Sequence, residues 1–102
     1  MSDLFTVNKS PFEKNSLEAA IKFSLAGSSI LMIEDGVYGA MKGTAAEDLV
    51  KGAMADKKVY ALKGDLMARA IKDDRIIEGI EVVDYSGFVD LVEANDKVQA
   101  WL

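Results

Sequence analysis

Apolar residues fall along this chain in two rhythms: short continuous runs, and longer stretches at helical spacing. Leu4-Phe5-Thr6-Val7, residues 29–33, Val59-Tyr60-Ala61-Leu62 and Ile80-Glu81-Val82-Val83 are runs of strand length. The second is nearly all apolar, as expected of a parallel strand covered on both faces. Between the first two, Asn15 offers an N-cap with Glu18 three residues on. Leu17, Ala20, Ile21, Ser24 and Leu25 follow at helical spacing, and Gly27 is the expected stop. Thr44-Ala45-Ala46-Glu47 reads as a capping box, opening a helix whose stripe is Ala46, Leu49, Val50, Ala53 and Met54. Asp65 is the expected cap of a short helix reaching about residue 71. Ser86 is the expected cap of a helix with Phe88, Leu91 and Val92 inside. Asp96 and Gln99 form a weaker capping pair before a last helical turn, on which Val98, Trp101 and Leu102 share one side.

Strands alternating with helices imply βαβ units, hence a parallel sheet with helices on both faces. The chain shows no Pro/Ser/Gly-rich linker, repeat or low-complexity segment, so residues 1–102 read as one domain.

Composition narrows the function. The 102 residues are 50% hydrophobic and 28% charged, ordinary for a globular domain. The longest strongly apolar run, Ile30-Leu31-Met32-Ile33, is far short of the roughly 20 residues a membrane helix needs. Met1-Ser2-Asp3 is acidic, with no apolar core of signal-peptide length behind it, so a cytoplasmic location is expected. The absence of cysteine removes disulfides, thiolate metal sites and thiol nucleophiles, and the absence of histidine removes the commonest general base. A net charge of −5 disfavours a nucleic-acid backbone as a direct partner.

In an open parallel sheet, ligands gather beyond the carboxyl ends of the strands. That edge would collect Asn8, Lys9 and Ser10, then Glu34 and Asp35, then Lys63 and Asp65, then Asp84 and Tyr85. Such a rim could hold a small anion or nucleotide, although parallel strands must end in polar turns in any case. Glu34 and Asp35 are adjacent, so their side chains are expected to diverge rather than act as an acid–base pair. Gly36, Gly39 and Gly43 match neither the dinucleotide nor the P-loop pattern. They are expected to supply turn geometry and close packing, and no cofactor is implied.

Three blocks carry a family resemblance: Val7-Asn8-Lys9-Ser10-Pro11-Phe12, Glu34-Asp35-Gly36, and Val82-Val83-Asp84-Tyr85 with Phe88-Val89-Asp90-Leu91 and the terminal Ala100-Trp101-Leu102. In this order and in a chain of this length they resemble the DsrH/TusB family, small subunits of the DsrEFH and TusBCD sulfur-relay complexes. The resemblance implies a three-layer DsrEFH-like α/β/α fold, Rossmann-like without a dinucleotide motif, with a parallel sheet of four to five strands. It implies assembly with DsrE/TusD-like and DsrF/TusC-like subunits into a heterohexamer. There a cysteine on the DsrE/TusD-type subunit accepts sulfur as a persulfide and exchanges it with a DsrC/TusE-like carrier.

Many members have a cysteine in the first helix, at a place that aligns with Ala20 to within one residue. Alanine has no nucleophile, so this chain is expected to be a non-catalytic subunit of a sulfurtransferase complex rather than an enzyme alone. Trp101 and Leu102, with Lys9, Ser10, Asp35 and Tyr85, are candidate interface or rim residues. The Asn8-to-Glu13 block and the C-terminal match look more like members working in dissimilatory sulfur oxidation. The absent cysteine pulls the other way, towards the branch serving 2-thiouridine at the tRNA wobble position, and the sulfur-oxidation branch is the expected one. The alternative is a stand-alone domain binding a small anion or nucleotide through Lys9, Ser10 and Lys63.

Overall fold

The computed structural model describes residues 3–101. Five parallel strands form one sheet: β1 (Asp3–Val7), β2 (Ser29–Met32), β3 (Lys58–Leu62), β4 (Glu81–Val83) and β5 (Lys97–Trp101). Their spatial order is β4-β3-β2-β1-β5, so the first four strands march to one edge and the last returns to the other. Four α-helices connect them: α1 (Ser16–Phe23), α2 (Glu47–Ala53), α3 (Lys63–Ala68) and α4 (Tyr85–Ala94). The α/β architecture and all-parallel sheet expected from the sequence are both present.

Alternation along the strands divides the core in two. Phe5, Val7, Ile30, Met32, Val59 and Ala61 face one side and pack with Leu17 and Ala20 of α1, Val50 of α2 and Leu66 of α3. Leu4, Leu31, Tyr60 and Val83 face the other side, where Phe88 and Leu91 of α4 meet them. One helix therefore covers a face that is served on the opposite side by three.

Several local expectations need correction. Residues 97–101 form an edge strand in register with β1, Leu4 opposite Val98 and Val7 opposite Trp101, not a helical turn. Val98 and Trp101 thus point to opposite faces of the sheet. Asp96 and Gln99 are not a capping pair, because no helix follows: from Lys97 to Trp101 the main chain is extended and paired with β1. Leu102 lies outside the described residues.

Asp84, not Ser86, caps α4: its carboxylate accepts the Gly87 N–H at 2.8 Å. Thr44 closes a turn, accepting from the Ala46 N–H, and the Glu47 carboxylate reaches the Gly43 N–H at 2.6 Å, so the box is displaced by one residue. Asn15 occupies the N-cap position of α1 without a side-chain cap bond. Leu25 is exposed, since α1 ends at Phe23, before that residue can turn inward. Gly27 lies in the turn beyond, at φ +90°.

Helix α3 ends sooner than the apolar pattern implies. Ala70 takes a left-handed φ of 56°, while the Ile71 N–H donates to the Leu66 carbonyl and the Ala70 N–H to the Met67 carbonyl. That bond pair is a Schellman motif with alanine where glycine is usual.

Candidate functional site

The polar edge forms where β1, β2 and β3 end. Beyond β2 the chain enters a 3₁₀ segment, Glu34–Ala40, drawn tightly over the end of β1. A Cβ at Gly36 would collide with the Val7 carbonyl oxygen, so only glycine allows this approach. Gly39 is pressed between Leu17 and Met32.

Glu34 begins this segment at a left-handed φ of 49°, a conformation costly to a residue with a Cβ. Asp65 holds it there: its carboxylate accepts the Glu34 N–H at 2.7 Å. Asp65 therefore braces a neighbouring strand end, where the sequence suggested the cap of its own helix.

The two adjacent carboxylates diverge as expected. Glu34 accepts from the Asn8 amide at 3.4 Å. Asp35 turns to Arg69, whose Nε and Nη2 both donate to one carboxylate oxygen at 3.0 and 2.9 Å. Arg69 also pairs with Asp65 at 3.7 Å and donates to its carbonyl oxygen, and its guanidinium lies 6.0 Å from the centre of the Tyr38 ring.

Arg69 and Tyr38 were not legible as rim residues. The spacing of Asp65 and Arg69, four apart on α3, was the available signal. Their meeting with Asp35 depends on the tertiary fold.

The Asp35, Asp65 and Arg69 cluster is a brace, its charges paired with one another. Its arginine is already shared between two carboxylates, and the buried polar atom left without a bond among the described residues is an acceptor, Asn8 Oδ1. Ser10, proposed for a small-anion site, is buried with its hydroxyl accepting from the Phe12 N–H. Lys9 and Lys63 are exposed and form no ion pair among the described residues. No group of three or more potential metal-ligating side chains occurs among those residues.

The other candidate positions lie apart from this brace in the chain's architecture. Ala20 has no exposure and sits in the core between α1 and the sheet, whereas Ala19 is half-buried. Trp101 is half-buried against Phe5 and Phe23, with ring centroids 6.4 and 5.5 Å away. Tyr85, 73% exposed at the start of α4, touches the Phe88 ring edge-on.

A small all-parallel α/β domain with five strands in the order 4-3-2-1-5 and no thiol or imidazole defines the class. The ychN protein of Escherichia coli has the same fold at a TM-score of 0.78, with 19% identity, covering 98% of this chain and 99% of that one. Protein Tm0979 of Thermotoga maritima superposes at 0.63 with 26% identity, covering 90% of this chain and 92% of its own.

Sequence comparison is more specific. The DsrH-like protein family model matches residues 9–98. Proteins named TusB from Photorhabdus laumondii and Erwinia tasmaniensis are 33% and 35% identical, each over 96% of this chain and 99% of their own. The chain belongs to the DsrH/TusB family of sulfur-relay subunits. No helix among the described residues is long and apolar enough to cross a membrane.

Proposed function

We propose that this chain is the cysteine-free third subunit of a DsrEFH/TusBCD-like heterohexamer, supporting persulfide transfer that its siblings carry out. One observation carries this reading: membership of a sulfur-relay family along nearly the whole chain, without a single cysteine. Sulfane sulfur travels on thiolates, so its acceptor must lie on a DsrE/TusD-like partner. A DsrF/TusC-like subunit completes the set, and the DsrC/TusE-like carrier is met indirectly.

The buried setting of Ala20 supports the same division of labour. Side chains at this position point into the core, so the helix there serves packing. Residues 1–102 act as one domain in the cytoplasm, where the relay's thiols stay reduced.

Between the two branches, the relatives named TusB support delivery of sulfur to the tRNA wobble uridine. The Asn8-to-Glu13 block supports sulfur oxidation. Deleting the gene and quantifying 2-thiouridine in bulk tRNA separates them: a loss assigns the tRNA branch, and unchanged thiolation with impaired sulfur oxidation assigns the other. Co-expression with both siblings tests the assembly itself, with a stable ternary complex as the expected product.

A further inference from the structure

Residues 76–96 hold six carboxylates, Glu78, Glu81, Asp84, Asp90, Glu93 and Asp96, and no lysine or arginine. The remainder of the chain has 11 acidic and 12 basic residues, so this one segment accounts for the whole net negative charge. Its centre is α4, the lone helix on its face of the sheet among the described residues.

At about 100° per residue, the α4 side chains sort into three sectors. Phe88 and Leu91 face the sheet. Next around the helix come Val92, Tyr85 and Val89, an apolar stripe at i, i+4 and i+7 that is exposed throughout. Then come Glu93 and Asp90. Neither these two nor Glu81 forms an ion pair among the described residues. On the far flank of the helix, a cleft of about 260 Å³ runs between α4 and the β3–β4 edge, floored by Tyr60, Val83 and Leu91 and bordered by Glu81 and Asp90.

From this arrangement we infer that the outer face of α4 docks a partner protein whose surface has an apolar centre flanked by arginine or lysine. The apolar sector of α4 is wider than the sheet can cover, and an exposed stripe of this kind marks an interaction surface. The cleft fits a long cationic side chain: its aliphatic stem lies on Tyr60, Val83 and Leu91, and its charge meets Glu81 and Asp90. A second copy of this chain is the wrong occupant, because an isologous pair on this face would set Asp90 and Glu93 against their own counterparts.

This inference rests on the assembly reading above and assigns it a surface and a partner chemistry. The test uses the full chain co-expressed with its TusC- and TusD-like siblings, comparing wild type, Val89→Asp/Val92→Asp and Glu81→Lys/Asp90→Lys. All substituted positions are solvent-exposed, so unchanged circular dichroism and melting verify the fold. The apolar double variant is expected to lose at least about thirty-fold in affinity for the siblings, as for interface-centre residues. The charge variant is expected to bind about ten-fold more weakly at low salt and to lose most of the wild-type salt dependence. Wild-type affinity and salt dependence in both folded variants overturn the docking face while leaving the assembly reading intact. A wild-type chain that binds no sibling overturns both. A wild-type homodimer abolished by Val89→Asp/Val92→Asp overturns the choice of partner.

Discussion

The Trp101 indole lies 6.4 Å, centroid to centroid, from the Phe5 ring, on the same face of two paired strands at the edge of the sheet. Phe23 of α1 closes the group, 5.5 Å from the indole and 6.1 Å from Phe5. This aromatic trio ties β5 to β1 and α1 within the domain. Trp101→Ala is expected to destabilise the isolated chain by about 2 kcal/mol, less than the 3–5 of a fully buried ring because the indole is only partly buried. Urea denaturation of the isolated chain measures it. An unchanged midpoint together with lost sibling binding would make the ring a partner anchor instead.

Gly36 and Gly52 should respond to alanine with opposite signs. At Gly36 a methyl group meets the Val7 carbonyl oxygen, which cannot move without breaking β1. Gly36→Ala is expected to cost at least about 3 kcal/mol or to prevent folding. At Gly52, within α2, nothing lies within 4 Å of the new methyl group. Gly52→Ala is expected to stabilise by about 0.5–1 kcal/mol through helix propensity. Equal effects in paired thermal melts would contradict this account of the strand-end turn.

The Schellman motif at Ala70 gives an unusual sign. Because Ala70 holds a left-handed φ that glycine adopts freely, Ala70→Gly is expected to raise stability by about 0.5–1 kcal/mol, after allowing for the larger entropy of the unfolded glycine chain. A lowered melting temperature would contradict the strain assigned here.

The Gly43 N–H, and after it the Lys51 ammonium, holds the Glu47 carboxyl below its ordinary value of 4.5. A carboxyl lowered on folding adds stability that is present above its unfolded pKa and fades as pH falls through the folded value. The Tm difference between wild type and Glu47→Gln is therefore expected to be steady above about pH 5 and to shrink towards acid. The carboxylate still meets solvent, which screens its interactions, so the difference is small. A gap that widens on acidification would contradict the assignment.

The alternation of apolar runs and helical stripes in the sequence carries the first four strands, the parallel sheet and the inward faces of α1 and α2. On α4 it carries Phe88 and Leu91, whereas Val92, expected inside, is exposed because the helix meets the sheet through those two side chains. What escaped it has local causes. Residues 97–101 form an edge strand with two large apolar members, Val98 and Trp101, three apart, a spacing that fits a helix as readily as a strand. Asp96 and Gln99 completed the mimicry of a helix start. The stop of α3 was hidden because alanine holds the position where glycine would have marked it.

The candidate site was half legible. Asn8, Glu34, Asp35 and Asp65 followed from the rule that polar residues gather at strand carboxyl ends. That Asp65 would hold the Glu34 backbone, and Arg69 would bind Asp35, depends on contacts 31 and 34 residues apart in sequence. Local pattern carries no information at that range.

The central claim is that this chain belongs in a sulfur-relay assembly without carrying sulfur itself. Native mass spectrometry of the co-expressed complex after treatment with a persulfide donor, followed by release of the subunits, tests both halves together. The account predicts a complex holding all three subunits, with a reductant-reversible gain of about 32 Da on a sibling and none on this 11.0 kDa chain. A free 11.0 kDa chain beside assembled siblings, or a stoichiometric sulfur adduct on the chain itself, would contradict it.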